Sequence, residues 1–354
     1  MSSIRALFCA KDLGSAGMIL PLVKEWQKAG HEAVVVTEGL AGAKFQEAGL
    51  PVFFKGTENF VSVPFTLDVE AALEAIRPSA VVVGESAPCH LEKQIAKAAN
   101  ILSIPLVAVD DLWGGFRRLD ARPDLILTLD ELGVRKAKEA FPDVSVSVVG
   151  NPGVPSEKEL SELKELQVPA LTSLKNSYVK VITFVGGGKE STLKELQLLL
   201  ECLKLTPKSW CLVVSFHPKW RKVLNPEGKE YGDVWSEALS SLGNRVRYTH
   251  ELGISSRDAV VGADLVVAGV STLMTTAAAL GKPVVSLTTP EVLEVLRSEG
   301  GLDEVPQVSL GLAKEVVVPE NLLSESILDP DVRKMPVSYD PVQAALAVQD
   351  FLRK

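Results

Sequence analysis

The order of apolar runs predicts two α/β domains, each a doubly wound parallel sheet with helices on both faces. Three observations carry this. Short Val-, Ile- and Leu-rich runs alternate with segments of helical period. Turns rich in glycine and small polar residues follow the ends of those runs. The alternation pauses at Gly150-Asn151-Pro152-Gly153-Val154-Pro155 and then begins again. A chain of 354 residues, 46% hydrophobic and 23% charged, is long enough to bury two full cores. The expected domains are residues 1–150 and 151–340, with a closing helix over 341–354.

Ile4–Ala10 reads as a buried strand running into the small-residue loop Lys11–Gly17 and an amphipathic helix that ends at Gly30. His31–Thr37 is the second strand, Gly39–Gly49 a short helix with glycines at both ends, and Val52–Phe54 the third strand. A helix over Leu67–Ile76 precedes the strand Ala80–Gly84, and a helix to Asn100 precedes the strand Pro105–Val109. Leu125–Leu129, the helix Glu131–Ala140 and Val144–Val149 complete the first half.

Past the turn, the polar segment to Ser177 reads as a helical connector. Val179–Val185 is a strand, followed by Gly186-Gly187-Gly188-Lys189-Glu190-Ser191-Thr192 and a helical pattern over Leu193–Leu203. The strands Cys211–Phe216 and Val246–Thr249 and the helix Ser256–Gly262 come next. Leu265–Ala268 then leads through Gly269 into a helix that Leu280-Gly281-Lys282-Pro283 stops, before the strand Val284–Leu287. Beyond Leu287 the chain reads as loops and short helices. In Pro341–Leu352 the spacing of Val342, Ala345, Leu346, Val348 and Leu352 suits a helix docked on a domain surface.

A net charge of −8 with no basic block argues against nucleic acid and anionic membranes as main partners. Cys9, Cys89, Cys202 and Cys211 lack zinc or C-x-x-C spacing and suit buried thiols in a cytoplasmic protein. The N-terminus has neither a basic n-region nor a long apolar stretch, so neither a signal peptide nor a membrane span is expected.

Chemistry in such sheets collects beyond the carboxyl ends of the strands. Two glycine turns there each open a helix: Gly186, Gly187 and Gly188 before Ser191, and Gly269 before Ser271 and Thr272. Free amides at helix starts suit an anion, and two such turns suit a diphosphate. Gly-x-Ser/Thr turns also open many helices that bind nothing. His217, after the strand Cys211–Phe216, is placed to donate to a phosphate or a sugar hydroxyl, with Lys219 and Arg221 near it; a solvated strand end is the plainer role. His250 follows Val246–Thr249, where a turn can grip a flat base by its edge. In the first half Asp12, Ser15, Glu85, His90, Asp110, Asp111 and Trp113 all follow strands. Acids beside a Trp suit sugar binding, with Glu85 or Asp111 as base and Asp12 as a plain helix cap. No i, i+4 His pair or Asp-x-Asp spacing supports a metal site.

Phe216-His217-Pro218 and the segment from Gly269-Val270-Ser271-Thr272 through Ala277-Ala278-Ala279-Leu280-Gly281-Lys282-Pro283 resemble the glycosyltransferase-B superfamily. That group includes nucleotide-sugar glycosyltransferases and UDP-N-acetylglucosamine 2-epimerases. The resemblance covers nearly the whole chain in element order. It implies two Rossmann-like domains facing a cleft, the glycine turns being Asp12–Gly17 and Gly186–Lys189. The C-terminal domain would bind a nucleoside diphosphate, the N-terminal domain an acceptor, and the last helix would cross back to the first domain. One departure stands out: many members carry a ribose-holding glutamate five residues before the glycine matching Gly281, where this chain has Thr276.

The implied activity is a metal-independent, inverting glycosyltransferase using a nucleotide-diphosphate sugar, a UDP-sugar foremost, with no further cofactor. Gly186, Gly187, Gly188, Ser191, His217, His250, Gly269, Ser271 and Thr272 would hold the donor. Glu85 or Asp111 would deprotonate the hydroxyl of a small-molecule or glycan acceptor, and His217 would stabilise the leaving diphosphate. A homodimer is an allowed assembly. The rival readings are an epimerase or hydrolase of the nucleotide sugar and a non-catalytic binding protein on the same fold.

Overall fold

A computed structural model describes residues 3–50, 52–54, 68–86, 89–188, 190–204, 209–318 and 336–353. The chain forms two compact units, one of Met1–Pro152, Glu299–Gly301 and Val337–Lys354, the other of Gly153–Ser298 and Leu302–Pro336.

The first unit is a seven-stranded sheet of β1 (Arg5–Ala10), β2 (Glu32–Thr37), β3 (Val52–Phe54), β4 (Ala80–Val83), β5 (Leu106–Val109), β6 (Leu125–Thr128) and β7 (Ser145–Val148). Every pairing is parallel, in the order β3-β2-β1-β4-β5-β6-β7. Covered on both faces, β4 has no residue reaching solvent, which its unbroken Ala-Val-Val-Val run permits. The sheet grows one way from β1 to β3 and the other way from β4, so the crevice between the ends of β1 and β4 is its topological switch point.

Helix Leu13–Lys28 leaves β1 at that point. Asp12 caps it, its carboxylate accepting the Ser15 amide proton at 2.9 Å. Met18, Ile19, Leu22, Val23 and Trp26 form its buried face, and the Trp26 ring meets Phe8 edge-on at 6.0 Å. Helix Pro341–Leu352 packs against it, and Tyr339 Oη donates to the Met18 carbonyl at 2.9 Å. Just before that helix, Ser338 bridges in parallel to Asn151.

The second unit has six parallel strands: β8 (Lys180–Gly186), β9 (Trp210–Phe216), β10 (Val246–Tyr248), β11 (Leu265–Ala268), β12 (Val284–Leu287) and β13 (Lys314–Val316), ordered β10-β9-β8-β11-β12-β13. The winding repeats that of the first unit, with the switch point between β8 and β11. Trp235 is fully buried in its core, 4.9 Å from the Phe216 ring and 5.6 Å from Tyr231.

Several elements differ from expectation. The first long helix stops at Lys28, and Gly30, at φ +85°, turns the chain into β2. The connector before β8 is two helices, Glu157–Glu165 and Pro169–Ser177, the first opened by a capping box of Ser156 and Glu159. After β12 the chain is not only loops and short helices, because Lys314–Val316 pairs with β12 as a sixth strand. Leu67 and Lys189, expected to start a helix and to close a glycine turn, lie outside the described residues. Among the described residues no helix is long and apolar enough to cross a membrane. All four cysteines are buried thiols, and none forms a disulfide among the described residues.

Candidate functional site

In the second unit, Gly186 ends β8 and Gly269 follows β11, so both glycine turns stand at the switch point. They come close: a Cβ on Gly187 would lie 2.9 Å from the Val270 carbonyl oxygen, an approach that glycine alone allows. Ser271 caps helix Thr272–Ala279, its hydroxyl accepting the Leu273 amide proton at 3.2 Å while its carbonyl takes that of Met274 at 3.1 Å. Thr272 is exposed as the first helical residue.

Two of the expected anion-facing amides point inward instead. Gly188 N–H donates to Thr192 Oγ1 at 3.0 Å, and that hydroxyl returns a bond to the Gly188 carbonyl at 2.7 Å. Gly269 is buried and its N–H donates to Glu195 Oε2 at 2.9 Å, while Ser286 Oγ donates to its carbonyl at 2.8 Å. Both amides shape the turns. The groups left at the rim are Gly187, the Thr272 helix start and the partly exposed Ser271; Ser191 is buried beneath Gly188.

His217 is exposed directly after Phe216, which is level with Gly186 across the β8–β9 pairing. It therefore borders the same turn. His250 lies farther out, past the end of β10, and its Nε2 is 3.1 Å from Arg221 Nη2. That contact turns the ring toward Arg221 rather than toward the glycine turns. The Lys219 side chain lies outside the described residues.

The first unit gathers acids at the ends of β1, β4 and β5. Asp110 is fully buried and accepts from the Gly114 amide at 3.3 Å, the Gly115 amide at 3.0 Å and the Thr128 hydroxyl at 3.1 Å. Glu85 is 1% exposed, and its Oε2 and Asp110 Oδ1 both lie against Gly115. Burial, then the charge of Asp110, push the Glu85 carboxyl well above the carboxylate range; burial pushes Asp110 up to about 6 despite its donors. Two buried carboxyls in contact cannot both ionise cheaply. Glu85 is held neutral and gives its proton to the Asp110 contact. Arg118, whose Nη1 donates to the Glu85 carbonyl at 3.1 Å, is the nearby cation that opposes the shift.

Asp111 is partly exposed, and its Oδ2 lies 2.8 Å from where a Gly14 Cβ would stand, with Asp12 Oδ1 3.5 Å from the same point. Burial, then Asp12 and Asp110, push it up to about 8. Of the two acids expected to serve as base, Asp111 borders solvent and Glu85 is sealed in. Trp113 is 3% exposed, with Nε1 bonded to Asp130, so its ring is packed rather than offered to a sugar. Ser86 Oγ accepts the Lys11 and Asp12 amides at 3.2 and 3.0 Å and fixes the turn after β1. Among the described residues no group of three or more His, Cys, Asp or Glu side chains is arranged to hold a metal ion.

Sequence reasoning did not single out Glu195, Arg118 or Thr128. Glu195 left a trace: it is a charged residue one turn after Ser191, inside the apolar stripe of Thr192, Leu196 and Leu199. Arg118 sits in the 3-10 helix Gly115–Leu119 and Thr128 at the end of β6, each recognisable only once folded beside Asp110 or Glu85.

No protein-family model and no curated protein matches the sequence. Solved structures do. The chain is similar to the S. aureus MnaA–UDP co-structure, with TM-score 0.66 and 14% identity over 99% of this chain and 96% of that one. It is similar to the Methanocaldococcus jannaschii UDP-GlcNAc 2-epimerase in complex with UDP-GlcNAc and UDP, with TM-score 0.62 and 13% identity over 99% and 100%. It is also similar to CalG4, the calicheamicin glycosyltransferase, with TM-score 0.58 and 17% identity over 100% and 99%. These likenesses show the fold, two Rossmann-like units of the glycosyltransferase-B kind.

Proposed function

We propose that this chain is a nucleotide-sugar enzyme of the glycosyltransferase-B fold, whose second unit holds the diphosphate and whose first unit supplies the acid–base groups. The observation that carries the reading is the close approach of the Gly187 and Val270 turns at the β8–β11 switch point, beside the start of helix Thr272–Ala279. In the transferase form, Asp111 takes the acceptor hydroxyl proton as that oxygen attacks the anomeric carbon. Thr272, Ser271 and His217 meet the charge that develops on the departing diphosphate. Glu85 does not act as the base; neutral and buried, it keeps Asp110 in place.

A second reading, an epimerase of the nucleotide sugar, is supported by the solved structures of that activity among those the chain is similar to. Both readings use the same donor site. Calorimetry with UDP and UDP-N-acetylglucosamine tests that site: binding is expected, and absence of heat and of a thermal shift with either would overturn it. Incubating UDP-N-acetylglucosamine without an acceptor and following it by NMR separates the two, since an altered sugar favours the epimerase and an unchanged one the transferase.

A further inference from the structure

Glu195 stands where the buried face of helix Glu190–Lys204 meets the turn after β11. It is 2% exposed, with Ser191, Thr192, Leu196 and Leu199 around it on the same helix face. Its Oε2 accepts the Gly269 amide proton at 2.9 Å, and the Ser191 hydroxyl, one turn earlier, also bonds to the carboxylate. Ser191 Oγ in turn lies under Gly188. One carboxylate thus reaches both glycine turns from behind: Gly269 directly, and Gly188 through Ser191. A Cβ on Gly269 would come within 2.6 Å of Glu195 Cδ and of Val292 Cγ2, so a side chain there would break the clasp.

We propose that Glu195 is a positioning residue that ties the two turns together and takes up one proton when a nucleoside diphosphate occupies them. This rests on the nucleotide reading above and adds to it what the site does with its own charge. Burial pushes the Glu195 carboxyl up to about 7 against the two hydrogen bonds that favour its ionised form. Those bonds come from the Gly269 amide and the Ser191 hydroxyl, and among the described residues no charged side chain contributes. A diphosphate on the solvent side of the turns brings like charge close to a carboxylate in a poorly screened interior, and that favours the neutral acid. The proton comes from the buffer. Once neutral, the acid still offers Oε2 to the Gly269 amide and turns its O–H toward Ser191 Oγ, which can accept as well as donate. The site sheds a repulsive charge without losing its frame.

The test is calorimetry of UDP binding to the full chain near pH 7, in buffers of different ionisation enthalpy, for the wild type and Glu195→Gln. Glutamine keeps an acceptor for Gly269 and a donor for Ser191 but cannot titrate. The wild type should bind up to one more proton than E195Q, the variant's value removing the nucleotide's own ionisation. Between pH 6 and 8 wild-type affinity should fall by up to about tenfold per pH unit relative to E195Q. Equal proton uptake and parallel pH profiles would overturn the inference and leave the nucleotide site standing. No UDP binding by the wild type would overturn both. Should E195Q fail to fold by circular dichroism, Ser191→Ala serves instead. It removes a bond that favours the ionised carboxylate, so the pH of greatest proton uptake should move upward; an unmoved maximum would overturn the inference.

Discussion

Thr276 Oγ1 donates to the Gly153 carbonyl at 2.6 Å. The side chain stands where the resembled superfamily carries a glutamate for the ribose, yet it is 5% exposed and its proton is spent on the chain segment that opens the second unit. If the nucleotide reading holds, the ribose hydroxyls lose that partner. UDP and 2′-deoxy-UDP should then bind within about threefold of each other by calorimetry. A charge-assisted bond to the 2′-hydroxyl would be worth more, about 1.5–3 kcal/mol, or tenfold and above. A gap of that size would mean that another side chain reads the ribose.

The same bond is a stability element. Thr276→Val keeps the shape and removes the hydroxyl that donates to the Gly153 carbonyl, which should cost about 1 kcal/mol in urea denaturation. Thr276→Ser keeps the hydroxyl and should cost well under that.

Glu85 and Asp110 should respond unequally to the same chemical change. Because Glu85 is held neutral, Glu85→Gln replaces one donor by another and should alter stability by less than about 1 kcal/mol at pH 7. Asp110→Asn turns an acceptor of the Gly114, Gly115 and Thr128 protons into a group that accepts at one atom only, and should cost about 3 kcal/mol or more. Denaturant midpoints of the two variants, measured side by side, check the order; the reverse order would mean that the proton sits on Asp110.

If Asp111 is the base, as proposed, it sets the expected pH dependence. A base must be ionised to act, so with its carboxyl pushed up to about 8, kcat/KM should rise through that region to a plateau, and Asp111→Asn should abolish the rise. Stability runs the other way. The folded state holds the Asp111 proton more tightly than the unfolded chain does, so its contribution is complete below the ordinary carboxylate range and is lost as pH rises through about 8. The wild type should therefore lose thermal stability between pH 6 and 9 by more than D111N does.

Much of this fold could be read from the sequence, because parallel strands covered on both faces leave runs such as Ala80–Val83 and Leu265–Ala268, with few other uses for so much contiguous Val and Leu. β13 escaped because its strand is three residues long and begins with Lys314 and Glu315; of the short run Val316–Val318 only Val316 lies in the strand, and Val317 and Val318 are exposed. Residue types at strand ends placed Gly187, Ser271, Thr272 and His217 at the strand ends of the second sheet, and Asp111 at those of the first, since the winding of each sheet dictates where its own ends gather. What stayed hidden was the direction of individual N–H groups. Gly188 and Gly269 looked free for a ligand, but Thr192 and Glu195 claim them, and those claims depend on which helix face is packed inward.

The pairing of Asn151 with Ser338 has a topological consequence. Apart from Glu299–Gly301, the first unit leaves off at Pro152 and resumes at Val337, and the two loose ends lie side by side, with Asn151 N–H donating to the Val337 carbonyl at 2.8 Å and Tyr339 N–H to the Asn151 carbonyl at 3.2 Å. In chain order the second unit is a guest sequence looped out of its host. A host lacking most of that guest needs only a short splice between 151 and 338, whereas trimming from the carboxyl terminus would strip Tyr339 and the closing helix from the face of Leu13–Lys28 that they cover.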